Sequence, residues 1–233
     1  MSIINNFIAA LIVLIAMGGC VDSETTIPKR LSMSFEVENI DDQLFGQNDT
    51  LEINEFKFLV GNFRALTPDE DSLDIRQRGL IFSFSDSQVG QQETIIEGPI
   101  GFSGFTEFKS VQVLIRQAQN SDQVNDPDLI QGIDESELFT MVVKGQYNSV
   151  DFTMLSTFEH FEEFIFDEVV EITNNQETIV ITLITDIEDI FFSNTSPVRL
   201  LDPRDAEDKE AVIDNFTESI EVEASRTSQI EPL

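Results

Sequence analysis

Thr178-Ile-Val-Ile-Thr-Leu-Ile-Thr185 is the stretch of sequence that decides the fold. Most of its residues are Ile, Val or Leu, and β-branched side chains favour the extended backbone of a β-strand. The apolar residues fall on both faces of such a strand, which is typical of a strand that is covered on both sides within a sheet. The segment therefore predicts a central strand in a β-rich fold.

Other segments before this strand predict the remainder of a sheet structure. The segment 31–37 has an apolar residue at every second position, which is the pattern of a strand with one buried face. Further runs that alternate, or that are rich in β-branched residues, occupy 51–60, 79–85, 107–116, 138–144, 149–155 and 164–172. Polar segments that favour turns separate the runs. Together they predict a mainly β fold, an antiparallel β-sandwich of immunoglobulin-like or jelly-roll-like type.

The C-terminal part of the chain predicts a helix. Asp202 is a suitable N-cap and Pro203 a suitable first helical residue, because proline has the φ angle of the first turn and no N–H to leave unbonded. An apolar stripe follows at Val212, Ile213, Phe216 and Ile220. We expect the helix to end near Glu218, with a short edge strand at 220–224 and a tail after it.

Two short connections are also predicted. Gly145-Gln-Tyr-Asn148 lies between two strand runs and has the composition of a hairpin turn. The segment 186–192 follows the central strand directly and predicts a short helical turn.

The first residues have the features of an export signal. The run 7–17 is apolar and uncharged, and it has the length of the hydrophobic region of a signal peptide. A helix that crosses a bilayer needs about 20 apolar residues, so this run is too short to span one. We therefore expect residues 1–19 to be a signal peptide.

Met17-Gly18-Gly19-Cys20 resembles the lipobox of bacterial lipoproteins, in which lipid is attached to the cysteine. The resemblance implies that Cys20 becomes the lipidated first residue of the mature protein, held on a membrane by two or three acyl chains. Cys20 is the sole cysteine, so it has no disulfide partner in the chain. Val21 stands where an aspartate retains some lipoproteins at the inner membrane, which implies the outer membrane. The alternative is an ordinary secretory signal in which Cys20 happens to follow the cleavage site.

The chain divides into four predicted parts. They are a signal peptide at 1–19, a lipidated tether at 20–30, a β-sandwich domain at 31–201, and a C-terminal part at 202–233 with the helix, edge strand and tail. This plan resembles the small all-β envelope lipoproteins of Bacteroidota-like bacteria. The resemblance implies a location in the cell envelope, on the periplasmic or the surface face, and no particular activity.

The charge of the chain restricts its partners. It carries 44 acidic and 13 basic residues, a formal net charge of -31. So acidic a surface repels phosphate, which excludes nucleic acid as a partner. It also repels anionic lipid headgroups, so we expect the attached lipid to hold the protein on the membrane. An envelope protein and a small ligand both remain open as partners.

The sequence lacks motifs for nucleophilic or zinc chemistry. His160 is the only histidine, it has acidic neighbours, and no Gly-x-Ser-x-Gly elbow occurs. We interpret it as a solvent-facing strand residue. Zinc needs several His or Cys ligands, which the chain does not have. Glycoside hydrolysis needs two carboxylates, so a carboxylate-dependent hydrolase is an alternative. The absence of Trp and the single tyrosine, Tyr147, disfavour a sugar-binding site.

Two acidic segments have the ligand chemistry of a calcium site, because calcium binds carboxylate and carbonyl oxygens from loops. They contain Asp122, Asn125, Asp126 and Asp128 in one case, and Asp69, Glu70, Asp71 and Asp74 in the other. Neither has the spacing of an EF-hand. Solvated surface is the favoured interpretation in so acidic a chain, and calcium is the one cofactor kept as an alternative.

The chain contains 20 phenylalanines and no tryptophan. Those that we assign to strands are Phe35, Phe56, Phe58, Phe82, Phe84, Phe152, Phe164 and Phe166. Core packing is their favoured role, and a Phe-lined cavity that carries an apolar ligand is the alternative. The sequence thus predicts a membrane-anchored lipoprotein that is a binding or structural module of the cell envelope rather than an enzyme.

Overall fold

The structure, a computed structural model, describes residues 30–38, 44–76, 79–85, 93–99, 107–119, 122, 124, 126–131, 137–171 and 177–228. The predicted signal peptide, Cys20, the tether up to residue 29, Asn125 and the tail at 229–233 lie outside these residues. In the part of the chain that the structure describes, no helix has the length and apolar composition needed to cross a membrane.

Strands dominate the described residues. They are β1 (Arg30–Glu38), β2 (Leu44–Phe45), β3 (Thr50–Leu66), β4 (Ser72–Arg76), β5 (Leu80–Ser85), β6 (Glu93–Pro99), β7 (Glu107–Ile115), β8 (Ile130–Gln131), β9 (Glu137–Leu138), β10 (Met141–Tyr147), β11 (Val150–Ser156), β12 (His160–Glu171), β13 (Glu177–Asp186) and β14 (Glu221–Ser228). The helices are α1 (Ile187–Phe191) and α2 (Ala206–Ser219). The predicted mainly β fold, with antiparallel sheets and a C-terminal helix, is confirmed.

The first sheet has the strand order β14, β13, β1, β6. β13 contains the segment Thr178–Thr185 and has a neighbour on each edge, as its apolar faces predict. β1 runs parallel to β13, with Phe35 opposite Leu183. β6 and β14 run antiparallel to their neighbours. The parallel pair was not predicted, because alternation along a strand does not reveal the direction of its neighbour.

The second sheet is built around β3. Phe56 pairs with both Val143 of β10 and Phe84 of β5, so β10 and β5 lie on opposite edges of β3. Val60 pairs with both β7 and β5, so β7 lies on the same edge of β3 as β10. Phe63 pairs with both β7 and β4, so β4 lies on the same edge of β3 as β5. β11 pairs with β10, and β12 pairs with β7. β2 also pairs with β3, on the edge opposite β10. The eight-stranded sheet therefore consists of four long rows: β3 alone, β2 with β4 and β5, β7 with β10, and β11 with β12.

The main core lies between the two sheets and is filled by phenylalanine rings. Phe35 of the first sheet meets Phe58 of the second, with ring centroids 4.9 Å apart. Phe58 stacks on Phe82 at 5.2 Å, and Phe216 of α2 contacts Phe58 at 5.0 Å. Burial of one such ring contributes about 1.5–3 kcal/mol. These contacts join the sheets into a sandwich and place α2 against the same core.

The packing role predicted for the phenylalanines is confirmed for most of them. The buried ones are Phe35, Phe56, Phe58, Phe82, Phe84 and Phe152. Phe164 and Phe166 are only half-buried, because β12 lies at the edge of its sheet.

Residues 116–140 form an insertion between β7 and β10, whose described part covers the outer face of the second sheet. Leu59 and Val142 alternate with core residues along their strands and therefore face outward. Ala118 and Leu129 of the insertion pack on them in a small second core. β8 and β9 form a short hairpin inside the insertion. Apolar burial thus fixes this long connection to the sheet.

The hairpin turn predicted at Gly145–Asn148 is misplaced. The loop between β10 and β11 is Asn148-Ser149, with φ angles of 51° and 63°. Positive angles at both central residues are those of a two-residue type I′ turn. Gly145 instead lies within β10 at a register shift, where a Cβ atom would be 1.9 Å from the carbonyl oxygen of Glu52. The glycine is needed for close backbone approach and not for the turn.

The start of the C-terminal helix also differs from the prediction. Asp205, and not Asp202, is the N-cap, and its carboxylate accepts hydrogen bonds from the N–H groups of Glu207 and Asp208. Asp202 instead accepts a bond from the Arg204 N–H at 3.0 Å, in a turn before the helix that also contains Pro203. Both aspartates are good caps by sequence, so the choice between them depends on tertiary contacts.

The remaining helix predictions hold. α1 lies within the predicted segment 186–192, and Asp186 is its N-cap. α2 ends at Ser219, one residue beyond the predicted end, and β14 follows as the predicted edge strand. Buried Asn215 of α2, which the apolar stripe did not identify, donates to the carbonyl oxygens of Ile190 at 3.1 Å and Phe192 at 2.9 Å. This side chain fastens α2 to the end of α1.

Candidate functional site

Asp122, in the first predicted calcium segment, is buried and fully engaged by protein donors. Its Oδ1 accepts bonds from Arg116 Nη2 at 2.7 Å and from the Gly79 N–H at 3.0 Å. Its Oδ2 accepts bonds from Arg116 Nη1 and the Gln119 N–H, both at 2.8 Å. Burial raises the pKa of this carboxyl, but these bonds outweigh it and hold the pKa below its usual value. Asp122 therefore fastens the insertion to the sheet.

Asp126 and Asp128, in the same segment, face two lysines. Lys57 Nζ lies 3.3 Å from Asp126 Oδ2 and 2.7 Å from Asp128 Oδ2. Lys144 Nζ lies 2.7 Å from Asp128 Oδ1. Glu55 contacts both lysines, Lys57 at 2.7 Å and Lys144 at 2.8 Å. We call these five residues the lysine network.

The lysine network gathers three carboxylates around two ammonium groups, and these contacts shift the pKa values of its members. Burial raises the pKa of Glu55 and of Asp128, but the bonds from Lys144 and Lys57 outweigh burial and lower both pKa values. Burial also disfavours the charged lysines, and their carboxylate partners outweigh it and raise the pKa of Lys57 and of Lys144. The acidic segment 122–128 is thus matched by cations of the chain itself.

The second predicted calcium segment is a turn after β3. Asp69, Glu70 and Asp71 are exposed, and the Asp71 N–H closes the turn by donating to Thr67 Oγ1 at 3.1 Å. Asp74 lies apart from them in β4. Among the residues that the structure describes, no group of three or more His, Cys, Asp or Glu side chains is arranged to hold a metal ion. Calcium binding remains a prediction.

His160 is half-buried at the start of β12, where we expected a solvent-facing residue. Its Nε2 lies 2.8 Å from Glu162 Oε2. Both side chains border a small apolar cleft with Val113, Ile115 and Ile220. Within the described residues the hydrogen-bond partner of the imidazole is this carboxylate.

Tyr147 is buried beside charged groups of the C-terminal part. The guanidinium carbon of Arg204 lies 4.9 Å from the ring centroid and covers one face of the ring. Burial raises the pKa of the phenol to about 12, and the nearby carboxylates of Asp49, Asp202 and Asp208 add to the effect. The ring is therefore not an open platform for a sugar.

The described carboxyl groups give little support to hydrolase chemistry. Those whose pKa departs clearly from its usual value are all lowered, namely Glu55, Asp122, Asp128, Glu163, Asp202 and Asp208. The general acid of a glycosidase needs a raised pKa, so that it still holds a proton at neutral pH.

A groove lies where the two sheets end side by side. β12 forms one bank and β14 the other, and the groove has a volume of about 530 Å³. Its lining consists of residues 165–170 and 222–225. β12 is paired only with β7, and β14 only with β13, among the described strands. Both strands therefore present an edge with no described partner on this side of the sandwich.

β12 carries a cluster of exposed apolar side chains. Phe161, Ile165 and Val169 have 58%, 66% and 43% of their surface exposed. Among the described residues, the other large apolar side chains with such exposure are Phe45, Val150 and Val198, in three separate parts of the chain. Exposed apolar groups that are gathered in one place mark interaction surfaces.

A bulge in β12 shapes its bank of the groove. Ile165 lies opposite Ser110, and Val170 lies opposite Phe108, so residues 166–169 face a single position of β7. The extra residues leave the ladder and line the groove. The part of β12 from His160 to Ile165 pairs regularly.

The groove is acidic. Asp167, Glu168 and Glu223 line it, and all three are exposed. The groove therefore combines apolar side chains, exposed carboxylates and strand edges, which is the chemistry of a site for a cationic and partly apolar partner.

Comparison of the chain with protein-family models, with curated proteins and with solved structures found no match. A functional interpretation must therefore come from the site itself.

The sequence analysis predicted a strand at 164–172 but not this groove. One signal was available, since β12 has apolar residues on both faces together with five carboxylates and no Lys or Arg. A strand so acidic cannot be a covered central strand. The neighbouring bank, β14, comes from residues 221–228, and no local pattern relates the two strands.

Proposed function

We propose that this protein is an exported lipoprotein, anchored through Cys20, whose β-sandwich is a binding module of the cell envelope. The export and anchoring part is supported by the apolar run 7–17 and by the resemblance of 17–20 to a lipobox. Val21 supports the outer membrane as its location. Between a binding and a structural role, the groove favours binding.

The observation that carries the binding role is the groove between β12 and β14. Its volume of about 530 Å³ lies in the range of ligand sites. Exposed Ile165 lines the groove, and exposed Phe161 lies further along the same strand. Their exposure costs the isolated domain the burial energy of two large side chains. Coverage by a partner would recover that energy.

The two alternative functions have less support. A carboxylate-dependent hydrolase needs an acid with a raised pKa, and the resolved shifts run in the opposite direction. A carrier needs an apolar cavity, whereas the rings of Phe35, Phe58 and Phe82 contact one another and occupy the space between the sheets.

Metabolic labelling with an alkyne fatty acid tests the anchor. We expect label on the parent protein and none on Cys20→Ala, because the cysteine sulfur accepts the lipid. Label on both proteins, or on neither, contradicts the lipoprotein proposal.

Site-specific crosslinking in intact cells tests the binding role. A photoreactive phenylalanine analogue at Ile165 should give a discrete crosslinked product, whereas the same analogue at Thr153, an exposed residue of β11, should give none. Products at both positions, or at neither, would count against the groove as the binding site.

A further inference from the structure

We infer that the edge of β12 binds an extended, basic segment of a partner protein, which adds to the sheet as a further strand. This inference rests on the proposed binding role and specifies the partner of that site. Strand addition needs a strand edge, side-chain contacts and an occupant whose charge is compatible with the site.

The edge itself has a suitable length. His160 to Ile165 pair in regular register with Ile115 to Ser110 on β7. Six residues of extended chain span about 20 Å, which is the usual length of a strand. Among the described strands β12 is the outermost strand of its sheet beside β7. Its second edge therefore pairs with no described strand.

Side-chain contacts are available along the same edge. Phe161 and Ile165 lie on one face of β12 with Glu163 between them, and all three are exposed. An added strand places its own alternate side chains beside this row. Apolar side chains of the partner would therefore meet Phe161 and Ile165, and a lysine or arginine between them would meet Glu163.

The charge of the site selects a basic partner. Glu162, Glu163, Asp167, Glu168 and Glu171 lie in β12, which contains no Lys or Arg. On the opposite bank Glu223 adds a further exposed carboxylate. Glu162 is bonded to His160, and Glu163 accepts bonds from Ser110 and Gln112. Basic residues in the partner would therefore pair mainly with the other, exposed carboxylates, and they would also be attracted by the net charge of -31.

The same charge argues against two other occupants. A second copy of this chain would place one β12 against another, with acidic side chains opposite acidic side chains. The tail Gln229-Ile-Glu-Pro-Leu233 has a glutamate and a proline and no basic residue, so it lacks the complementary charge and one of the backbone donors.

Fluorescence anisotropy with three labelled peptides of about eight residues, the length of a strand, tests the inference on the processed protein purified with its lipid in nonionic detergent. The peptides alternate Lys with Val, Lys with Pro, and Glu with Val. Only the Lys-Val peptide has both the positive charge and the backbone N–H groups of a strand. We expect it to bind at least about tenfold more tightly than either of the others.

Charge reversal locates the binding. Glu168→Lys with Glu223→Lys should weaken binding of the Lys-Val peptide by at least about tenfold. The matched control is Glu210→Lys with Asp214→Lys, which makes the same change of net charge on exposed residues of α2 and should weaken binding less than about threefold. Thermal melts establish that both variants are folded.

The remaining results overturn the inference. Equal binding of the Lys-Pro peptide would mean charge attraction without strand pairing, and equal binding of the Glu-Val peptide would mean apolar contact alone. Equal loss in the two variants would place the binding elsewhere. Dimerisation through β12 would assign the edge to a second copy of the chain. Peptide binding that becomes tenfold tighter after deletion of 229–233 would assign the edge to the tail. If lipid labelling fails, the same peptides are titrated against the chain from Val21 onward, which retains β12 and β14, so the two proposals fail separately.

Discussion

The guanidinium of Arg116 and the carboxylate of Asp122 form a buried, two-pronged ion pair, with contacts of 2.7 Å and 2.8 Å. Arg116 is the first residue of the insertion, directly after β7, and it passes over Gly61 at the register shift of β3. A Cβ atom on Gly61 would be 2.2 Å from Arg116 Nε. Asp122 belongs to the insertion and also holds the Gly79 N–H. One ion pair thus ties three separate parts of the chain together.

Asp122→Asn should destabilise the protein by about 3 kcal/mol, because it leaves the charge of buried Arg116 without a counter-charge. Urea denaturation at neutral pH measures the loss. Asp151→Asn, at an exposed position of β11 that also bonds a side-chain amide, is the control and should change stability by less than about 0.5 kcal/mol. Similar losses in the two variants would show that the pair is not the tie that its geometry indicates.

Lys57→Met should lower stability in a pH-dependent manner. Glu55 and Asp128 have pKa values that are lowered in the folded protein, partly by Lys57, so their contribution to stability is present above their unfolded pKa values and is lost as the pH falls through the folded ones. At pH 7 we expect a loss of about 1–3 kcal/mol for this partly buried network, and at pH 3 a loss below about 1 kcal/mol.

Urea melts of the parent and the variant at the two pH values measure this difference. Lys109→Met, at an exposed lysine of β7, is the matched control and should change stability by less than about 0.5 kcal/mol at either pH. An equal loss from Lys57→Met at pH 7 and pH 3 would assign the role of Lys57 to packing and not to charge.

Asp205→Ala should cost about 1 kcal/mol, because the carboxylate satisfies two N–H groups at the start of α2. Asp202→Ala should cost less, since its ion pair with Arg204 at 2.7 Å is at the surface, where such pairs contribute roughly 0–1 kcal/mol. Thermal melts of the two variants compare the costs. The reverse order would mean that the helix is capped at Asp202, as the sequence alone predicts.

Salt should stabilise the fold. The chain has 44 acidic and 13 basic residues, and several of the basic ones are already engaged in the internal pairs of Arg116, Lys57 and Lys144. The screening length falls from about 10 Å at 0.1 M to about 3 Å at 1 M salt, so repulsion among the remaining carboxylates should fade. We expect Tm of the chain from Val21 onward, which retains every described residue, to rise over this interval.

Choline chloride and calcium serve as controls for the salt effect. Choline should raise Tm as sodium does, because screening does not depend on the identity of the cation. A rise at low calcium that a chelator reverses at constant ionic strength would show a bound ion, and a second measurement with Asp69→Asn would test the exposed segment 69–74. A flat or falling Tm in sodium chloride would contradict the role of repulsion.

Most of the long strands were predictable because burial imposes a period on the sequence, whereas no predicted run covered β4 or β6. The apolar faces of 178–185 and the alternation of 31–37 correspond to β13 and β1, which lie side by side in one sheet. The helix after residue 202 and the edge strand after it were predictable for the same reason. The sequence analysis chose Asp202 as the N-cap, and this was wrong, since Asp205 caps the helix. The Asp202 N–H instead donates to the Asp208 carboxylate at 2.9 Å, a contact that accompanies the later start.

The pairing of the acidic segment 126–128 with lysines could not be predicted from the sequence pattern. Lys57 and Lys144 are far from the segment 126–128 along the chain, and nothing local marks them as its partners. The register of β3 with β10 brings the two lysines to one face of the sheet, since Lys144 lies opposite Glu55. Acidic clusters could thus be recognised from the sequence, whereas their neutralisation depends on strand pairing.

The sequence by itself determined the export signal pattern, the acidic surface and the β-rich composition of this protein, because each depends on residue type and short-range spacing. Only the tertiary structure decided that β12 and β14 border one groove. In the sequence β12 precedes the central strand β13 and β14 follows it, and the two strands belong to different sheets. Long-range pairing fixes which strands end a sheet, and a strand at an edge has the same local periodicity as a strand within the sheet.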